Sequence, residues 1–474
     1  MSFTREINRL MFGLLAVFFV IVTSATYWAV VGEDSILLRD DNPRLVEDEA
    51  RIRRGSIYDT NNILLADSRL DDAGFLQRRY YHPEMNSALG YFSLRYGTSG
   101  AESAYDSYLR GDIFSDELND FVQQDMLHIP QQGLDIQLTF DVNVQQTMLE
   151  QMQDYRGAAV VLSVPDGRVL GLVSLPTYNP NMLDANWEEL VDAEGNPFFN
   201  RVLQGQYQPG GMLQTPLMVA NILAQQPFDI IIADANQPVV VEDLELRCAV
   251  EPESPDLSYA EAYAYGCPLP FSLLANDLTP TSLQNIFDAF SFSSPPNLQG
   301  FVEETTTIEE TPEVTPEFDV LADVIGQGNL TINPLGMATL ASAIVNNGNA
   351  PQPYALQSYQ LADGTWQIDI TERPTSPLLT VNSARRLRDL MVNNIQEGAS
   401  VSASRPNLTI GGHTALAISG DEFQTWFIGF VTLENNQSAT IAIVLENTED
   451  AEETARIAGI ILESAANSLR ETSD

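Results

Sequence analysis

Residues able to do acid–base or nucleophilic work are few in this chain and lie far apart. It has three histidines, His82, His128 and His413, and two cysteines, Cys248 and Cys267. The histidines form no His-Glu-x-x-His zinc pattern, and the cysteines do not have zinc-ligand spacing. No Gly-x-Ser-x-Gly nucleophile elbow occurs. The 65 Asp and Glu residues are too many for any pair to stand out as a glycosidase dyad. No cofactor-binding or metal site is expected. All 23 residues counted as Lys plus Arg are arginine, so no lysine is available as an amine base.

The formal net charge of −42 sets the partner classes. Such a surface cannot replace the counterions around phosphates, so nucleic acid and anionic surfaces are excluded as partners. At 474 residues the chain has room for two or three domains, and its 44% hydrophobic content fits a folded protein.

The run from Met11 to Val31 is uncharged for about twenty residues, long enough to cross a hydrocarbon core. Arg5 and Arg9 precede it, and Glu33 and Asp34 follow. That asymmetry predicts a cytoplasmic tail over residues 1–10, a single signal anchor over 11–31, and the bulk of the chain on the extracytoplasmic side of the plasma membrane. A cleaved signal peptide would have a shorter apolar region. In that oxidising compartment Cys248 and Cys267 can either pair as a disulfide or remain two buried thiols, and sequence leaves both open.

A polar segment, Arg39 to Asp59, follows the anchor, and the turn Pro130-Gln131-Gln132-Gly133 marks a boundary. Asp135 to Phe140 alternates like a strand. Asp141 or Asn143 then caps a helix carrying Val144, Met148 and Met152 on one face. Ala158 to Leu162 and Val169 to Val173 are apolar runs joined by Pro165-Asp166-Gly167, a hairpin signal. Thr425 to Val431 and Ala439 to Leu445 read as two further strands. The chain closes with an amphipathic helix, Ala451 to Leu469, burying Ile457, Ile460, Ile461 and Ala465. Strands at both ends of one long segment predict an α+β domain closed by its own C-terminus. An aperiodic Thr/Glu/Pro run, Glu303 to Phe318, interrupts it as a surface insertion at about 302–320.

Several stretches resemble the class B penicillin-binding proteins, the transpeptidases that cross-link peptidoglycan, and more narrowly their A-type group. Arg54-Gly55-Ser56-Ile57-Tyr58-Asp59 with Leu65-Ala66 resembles the opening of their non-catalytic domain, although Thr60 stands where that family has arginine. Tyr96-Gly97, Gly100-Ala101-Glu102 and Leu109-Arg110-Gly111 are similar to its later signature. Gly157 to Leu162, Ser174 to Asn181, Asn200-Arg201-Val202-Leu203, Tyr207 and Pro209-Gly210 follow the transpeptidase domain in order. Ile325-Gly326-Gln327-Gly328, Thr331, Pro334-Leu335, Met337-Ala338 and Trp426 to Phe430 continue it. The resemblance implies an N-terminal non-catalytic, pedestal- or dimerisation-like domain over 32–133. A penicillin-binding transpeptidase-like domain over 134–474 follows, an antiparallel sheet flanked by helices.

The family's reaction needs three motifs. A Ser-x-x-Lys turn places nucleophile and amine base one helical turn apart. A Ser-x-Asn loop relays protons, and a Lys-Thr-Gly strand holds the substrate carboxylate beside the oxyanion hole. At the first position stand Gly211-Met212-Leu213-Gln214, with no nucleophile at Gly211 and no base at Gln214. Thr215 points about 100° away from the base position on a helix. At the second stand Gly266-Cys267-Pro268, and at the third Gly412-His413-Thr414-Ala415, where only Thr414 keeps its type. No lysine exists elsewhere to replace the two that are missing.

The expectation is a pseudo-transpeptidase: a non-catalytic scaffold or binding partner in peptidoglycan cell-wall assembly, acting with cell-wall synthesis proteins or peptidoglycan peptides as a homodimer or heterodimer. The alternative is a divergent peptidoglycan-peptide enzyme, or a non-covalent sensor of wall peptides or β-lactams, using His413 and Thr414 as a remnant of the substrate site.

Overall fold

The computed structural model of this chain describes residues 3–30, 49–70, 75–114 and 130–471, apart from 224, 226, 242–243, 293, 299, 303–318, 372 and 436. His128, Glu33, Asp34, the segment from Arg39 up to residue 48, and the run Glu303 to Phe318 lie outside the described residues. Two compact units are present. One comprises Met1–Arg53, Arg69–Gln77 and Asp116–Gln132; the other comprises Arg54–Ser68, Arg78–Ser115 and Gly133–Asp474.

The first unit contains helix α1 (Phe3–Val30), 28 residues long. Its side chains are described over residues 9–24, 26 and 27, where Leu10, Phe12, Phe18 and Phe19 stand exposed. Among the described residues, no helix is long and apolar enough to cross a membrane.

In the second unit the elements that position the site are α2 (Val142–Met152), β1 (Arg156–Val164), β2 (Val169–Leu175), α3 (Gln214–Leu223), α4 (Tyr259–Tyr265), α5 (Pro334–Val345), α6 (Val381–Asn394), β3 (Thr409–Ser419), β4 (Glu422–Thr432), β5 (Ser438–Glu446) and α7 (Ala451–Glu471). The five strands form one antiparallel sheet in the order β3-β4-β5-β1-β2. The late strands therefore complete a sheet begun by the early ones, and the chain closes on itself as expected. A two-residue turn joins Ser419 to Glu422, and Gly420 at φ 60° supplies the positive φ that such a hairpin requires.

Side chains alternate across a strand with a period of two, and here both faces are covered. Ala159, Val161, Ile441, Ile443 and Phe427 pack with Val144, Met148 and Met152 of α2 and Ile457, Ile461 and Ala465 of α7. Ala158, Val160, Leu162, Val444, Trp426 and Ile428 pack on the other side with Leu335, Ala338 and Leu340 of α5. Burial on both faces explains why β1, β2 and β5 read as continuous apolar runs, not as alternating ones.

Three sequence expectations are refined. Asp141, not Asn143, caps α2, its carboxylate accepting from the Asn143 and Val144 amides. The alternating stretch Asp135 to Phe140 yields a strand only over Ile136–Leu138, and all three of its residues are buried. In α7, Ile460 is only half-buried, while Ala458 and Leu462 complete the packed face.

The Arg-Gly-x-Ile signature has an architectural cause. Arg54 donates to Glu102 at 3.0 and 3.2 Å and to Asp106 at 2.6 Å, while Arg78 donates to Glu102 at 2.6 Å. Burial alone would raise the Glu102 carboxyl, but Arg78 and then Arg54 outweigh it and hold it below its ordinary value. A Cβ on Gly55 would stand 1.8 Å from the Leu134 carbonyl oxygen, so only glycine fits there. Ile57–Tyr58 can thus enter a second sheet between Ile136–Leu138, which it joins in parallel, and the strand containing Leu64 and Ala66.

Candidate functional site

The structure brings the three sequence-predicted segments together at one place. The first is a tight turn, Gly210–Leu213, leading into α3; Gly210 there has φ 50°. The second follows α4, whose C-terminus is closed by Gly266 in the left-handed conformation at φ 65°. The third lies on β3, at the edge of the five-stranded sheet.

Their contacts are short and internal. His413 Nε2 lies 3.1 Å from the Gly211 carbonyl oxygen. A carbonyl only accepts, so Nε2 carries the hydrogen that points to it, and the Tyr263 backbone also bonds to the ring. The imidazole stacks on the Tyr263 ring with centroids 4.0 Å apart and planes 11° apart. Tyr263 Oη in turn pairs with Thr215 Oγ1 at 3.0 Å. Gln214 Nε2 donates to the Cys267 carbonyl oxygen at 3.2 Å, and Thr414 Oγ1 pairs with Ser400 Oγ at 2.9 Å.

Backbone close approach draws the segments together further. A Cβ placed on Gly211 would lie 2.8 Å from the Ala415 methyl and 3.3 Å from Gln214 Nε2. One placed on Gly266 would lie 2.9 Å from both the Thr414 carbonyl oxygen and the Ala249 methyl. Gly326 is pressed on Gly210 in the same way, a Cβ there falling 2.3 Å from the Gly210 carbonyl oxygen. Cys267 is joined to Cys248 by a disulfide, which ties the second segment to the chain that follows the short hairpin Val239–Val241 and Leu244–Leu246. Val239, Val241 and Leu246 pack on Leu416 and Ile418, covering β3 beyond Ala415.

All of these positions are buried: Gly211, Gln214, Gly266, Cys267, Pro268, His413, Thr414 and Ala415. Burial pushes the His413 imidazole down to about 4, with the Gly211 and Tyr263 backbone opposing more weakly. The ring is therefore neutral near pH 7 and offers no positive charge to a carboxylate. The hydroxyls of Thr215 and Thr414 are each held by another hydroxyl. The arrangement provides hydrogen-bonded packing, with no side-chain nucleophile or amine base at the positions where the resemblance would put them.

Tyr263, Ser400 and Asn394, whose amide donates to the Gly412 carbonyl oxygen at 3.2 Å, were not singled out by sequence. A signal existed for Tyr263 alone: it lies on α4, four residues before Cys267, and faces inward. The remaining predicted histidine of the described chain, His82, sits elsewhere, beside Glu84. Among the described residues no group of three or more His, Cys, Asp or Glu is placed to hold a metal ion.

A family model described as penicillin binding protein transpeptidase domain matches residues 157–465, and one described as penicillin binding protein A dimerisation domain matches residues 54–131. Peptidoglycan D,D-transpeptidase PbpA of Mycolicibacterium smegmatis is 27% identical over 481 residues, covering 94% of each chain. PbpA of Mycobacterium tuberculosis is 25% identical over 478 residues with the same coverage. The structure of penicillin-binding protein A from M. tuberculosis in its imipenem acyl-enzyme complex superposes with a TM-score of 0.75 at 25% identity, covering 89% of this chain and all of that one, 100%. The family match spans more than half of the sequence and includes every segment of the site, and the chain therefore belongs to the penicillin-binding protein transpeptidase family.

Proposed function

We propose that this protein is a pseudo-transpeptidase, a non-catalytic member of its family that serves cell-wall assembly as a scaffold or binding partner. The carrying observation is the pair Gly211 and Gln214 at the positions of nucleophile and base, in a chain without lysine. Loss of the nucleophile in a comparable acyl-transfer site costs on the order of 10⁶ in kcat, roughly 8 kcal/mol of barrier. The burial and neutrality of His413 support the same reading, because the lysine's charge is not replaced. A divergent enzyme or peptide sensor built on His413 and Thr414 is disfavoured, since both are fully buried and engaged internally.

In this reading residues 1–10 are a cytoplasmic tail, 11–31 a single membrane anchor, 32–133 a non-catalytic domain and 134–474 the transpeptidase-like domain on the extracytoplasmic side. The uncharged run Met11 to Val31 behind Arg5 and Arg9 supports the anchor. Partners are sought among cell-wall synthesis proteins, or in a second copy of the chain through the segment similar to a dimerisation domain.

Incubation of the purified protein with a fluorescent penicillin tests the reading. No covalent band is expected under conditions that label an active family member, and no release of D-alanine from a stem pentapeptide. Stoichiometric labelling or measurable turnover would overturn it.

A further inference from the structure

The second sheet of the second unit ends on an uncovered strand. Trp366–Ile368 pairs antiparallel with Leu356–Gln360, which pairs with Ile136–Leu138, and no described strand lies beyond it. The Leu361 amide donates to the Thr365 carbonyl oxygen at 2.8 Å, and the Asp369 amide donates to that of Gln357 at 3.0 Å. Thr365, Gln367 and Asp369 therefore turn their backbone groups inward. In an antiparallel ladder the intervening residues turn theirs the other way, so Trp366, Ile368 and Ile370 present N–H and C=O groups to the open edge.

The side chains of these three residues share one face of the strand, and they are 41, 71 and 83% exposed. Tyr58 holds the Trp366 ring edge-on, with centroids 6.0 Å apart. An open edge carrying apolar side chains is a template for pairing with another chain, and proteins commonly blunt it with lysine or proline. Between Thr365 and Thr371 there is neither.

The sequence of the edge selects its occupant. Thr365-Trp366-Gln367-Ile368-Asp369-Ile370-Thr371 reads alike in side-chain class from either end. Laid antiparallel to itself about Ile368, it sets Ile368 opposite Ile368, Trp366 opposite Ile370 and Gln367 opposite Asp369. Aromatic against β-branched is a favourable cross-strand pair, and an amide can donate to a carboxylate. Charge does not oppose the contact, even in a chain of net charge −42. Asp369 is neutralised by an ion pair with Arg373, and it accepts from Thr371 Oγ1 at 2.7 Å. A slip of one residue would set outward groups against inward ones, so the register is fixed.

We infer that this edge pairs with the same edge of a second copy, joining two sheets into one across a two-fold axis. In such a self-complementary contact each unlike pair occurs twice, and Ile368 is the one residue of the edge that faces itself. The surface lies outside residues 54–131, the segment similar to a dimerisation domain. It rests on the second-copy partner of the proposed function and not on the loss of catalysis.

Cysteine cross-linking of the detergent-solubilised full chain reads the register, because the two native cysteines are bonded to each other. Paired residues of this kind stand about 5.5 Å apart at Cα, within the span of a disulfide. Ile368→Cys alone should oxidise to a linked dimer. Trp366→Cys and Ile370→Cys should each link poorly alone and link well when mixed. Ile368→Lys, which sets two like charges face to face, should raise the dissociation constant of the dimer tenfold or more in sedimentation velocity. Its melting temperature at high dilution should hold, since the side chain it replaces is exposed. A monomer at every concentration up to about 100 μM, equal linking at all three positions, or a dimer indifferent to Ile368→Lys would overturn the inference. In the last two cases a second copy remains the partner through another surface, and penicillin labelling is independent of every outcome.

Discussion

The imidazole of His413 donates to the carbonyl oxygen of Gly211 across 3.1 Å, joining the two residues that the family resemblance sets at the strand lysine and at the nucleophile. The resemblance implies that the first of those positions holds a substrate carboxylate and the second is acylated. In this chain the two residues bond directly to each other, with Tyr263 stacked on the ring and the Ala415 methyl beside Gly211.

The buried ring makes stability depend on pH. Its folded value of about 4 lies below the ordinary 6.5, so between these limits the unfolded chain binds more protons than the folded one. The stabilisation is complete above pH 6.5 and is lost as pH falls toward 4, by on the order of 3 kcal/mol. Urea unfolding of the native protein and of His413→Gln, at pH 7 and at pH 4.5, isolates the effect from the many carboxylates. The native protein should lose more stability than the variant over that interval, and equal losses would contradict a buried neutral ring.

Restoring only the nucleophile should cost stability and return no chemistry. A Cβ on Gly211 meets the Ala415 methyl at 2.8 Å, so Gly211→Ser is expected to lose about 1–3 kcal/mol through overpacking. Adding Ala415→Gly should recover part of that loss. Neither protein should react with a fluorescent penicillin, because Gln214 is no base and no lysine is present. Thermal unfolding and gel fluorescence together check both halves.

Glu102 holds two arginines in the interior. Glu102→Ala takes from Arg78 its buried carboxylate and leaves Arg54 with Asp106 alone, for which a loss of about 3–5 kcal/mol is expected. Denaturant titration measures it. A loss below about 1 kcal/mol, the size of an exposed ion pair, would mean that the network is solvated.

The Cys248–Cys267 bridge closes a loop with a sequence separation of 19. In the chain-entropy account, removing a bridge of this span costs about 3 kcal/mol. The double substitution Cys248→Ser with Cys267→Ser should lower the unfolding midpoint accordingly. Non-reducing mass analysis of the native protein should find no free thiol.

Much of the architecture was legible because it rests on local patterns. The apolar runs of β1, β2 and β5, a cap at Asp141 or Asn143 and the closing helix each follow from short-range periodicity or capping chemistry. Errors arose where tertiary cover overrode that pattern: Gln137 is buried although alternation would put it outside, and Ile460 yields part of its burial to Ala458 and Leu462. The partners of His413 were not legible. Gly211 is 202 residues away along the chain, and no periodicity reports which carbonyl a side chain will meet.

By itself, the sequence settled the absence of lysine, since composition does not depend on conformation, and with it the lack of any lysine amine base wherever the alignment falls. Only the tertiary structure decided that the three altered segments converge and are sealed. Closure depends on contacts at the scale of a single methyl group: Ala415 against Gly211, and the Thr414 carbonyl against Gly266. Such distances are set by how the sheet edge, α3 and α4 pack together, and burial then determines that His413 is neutral.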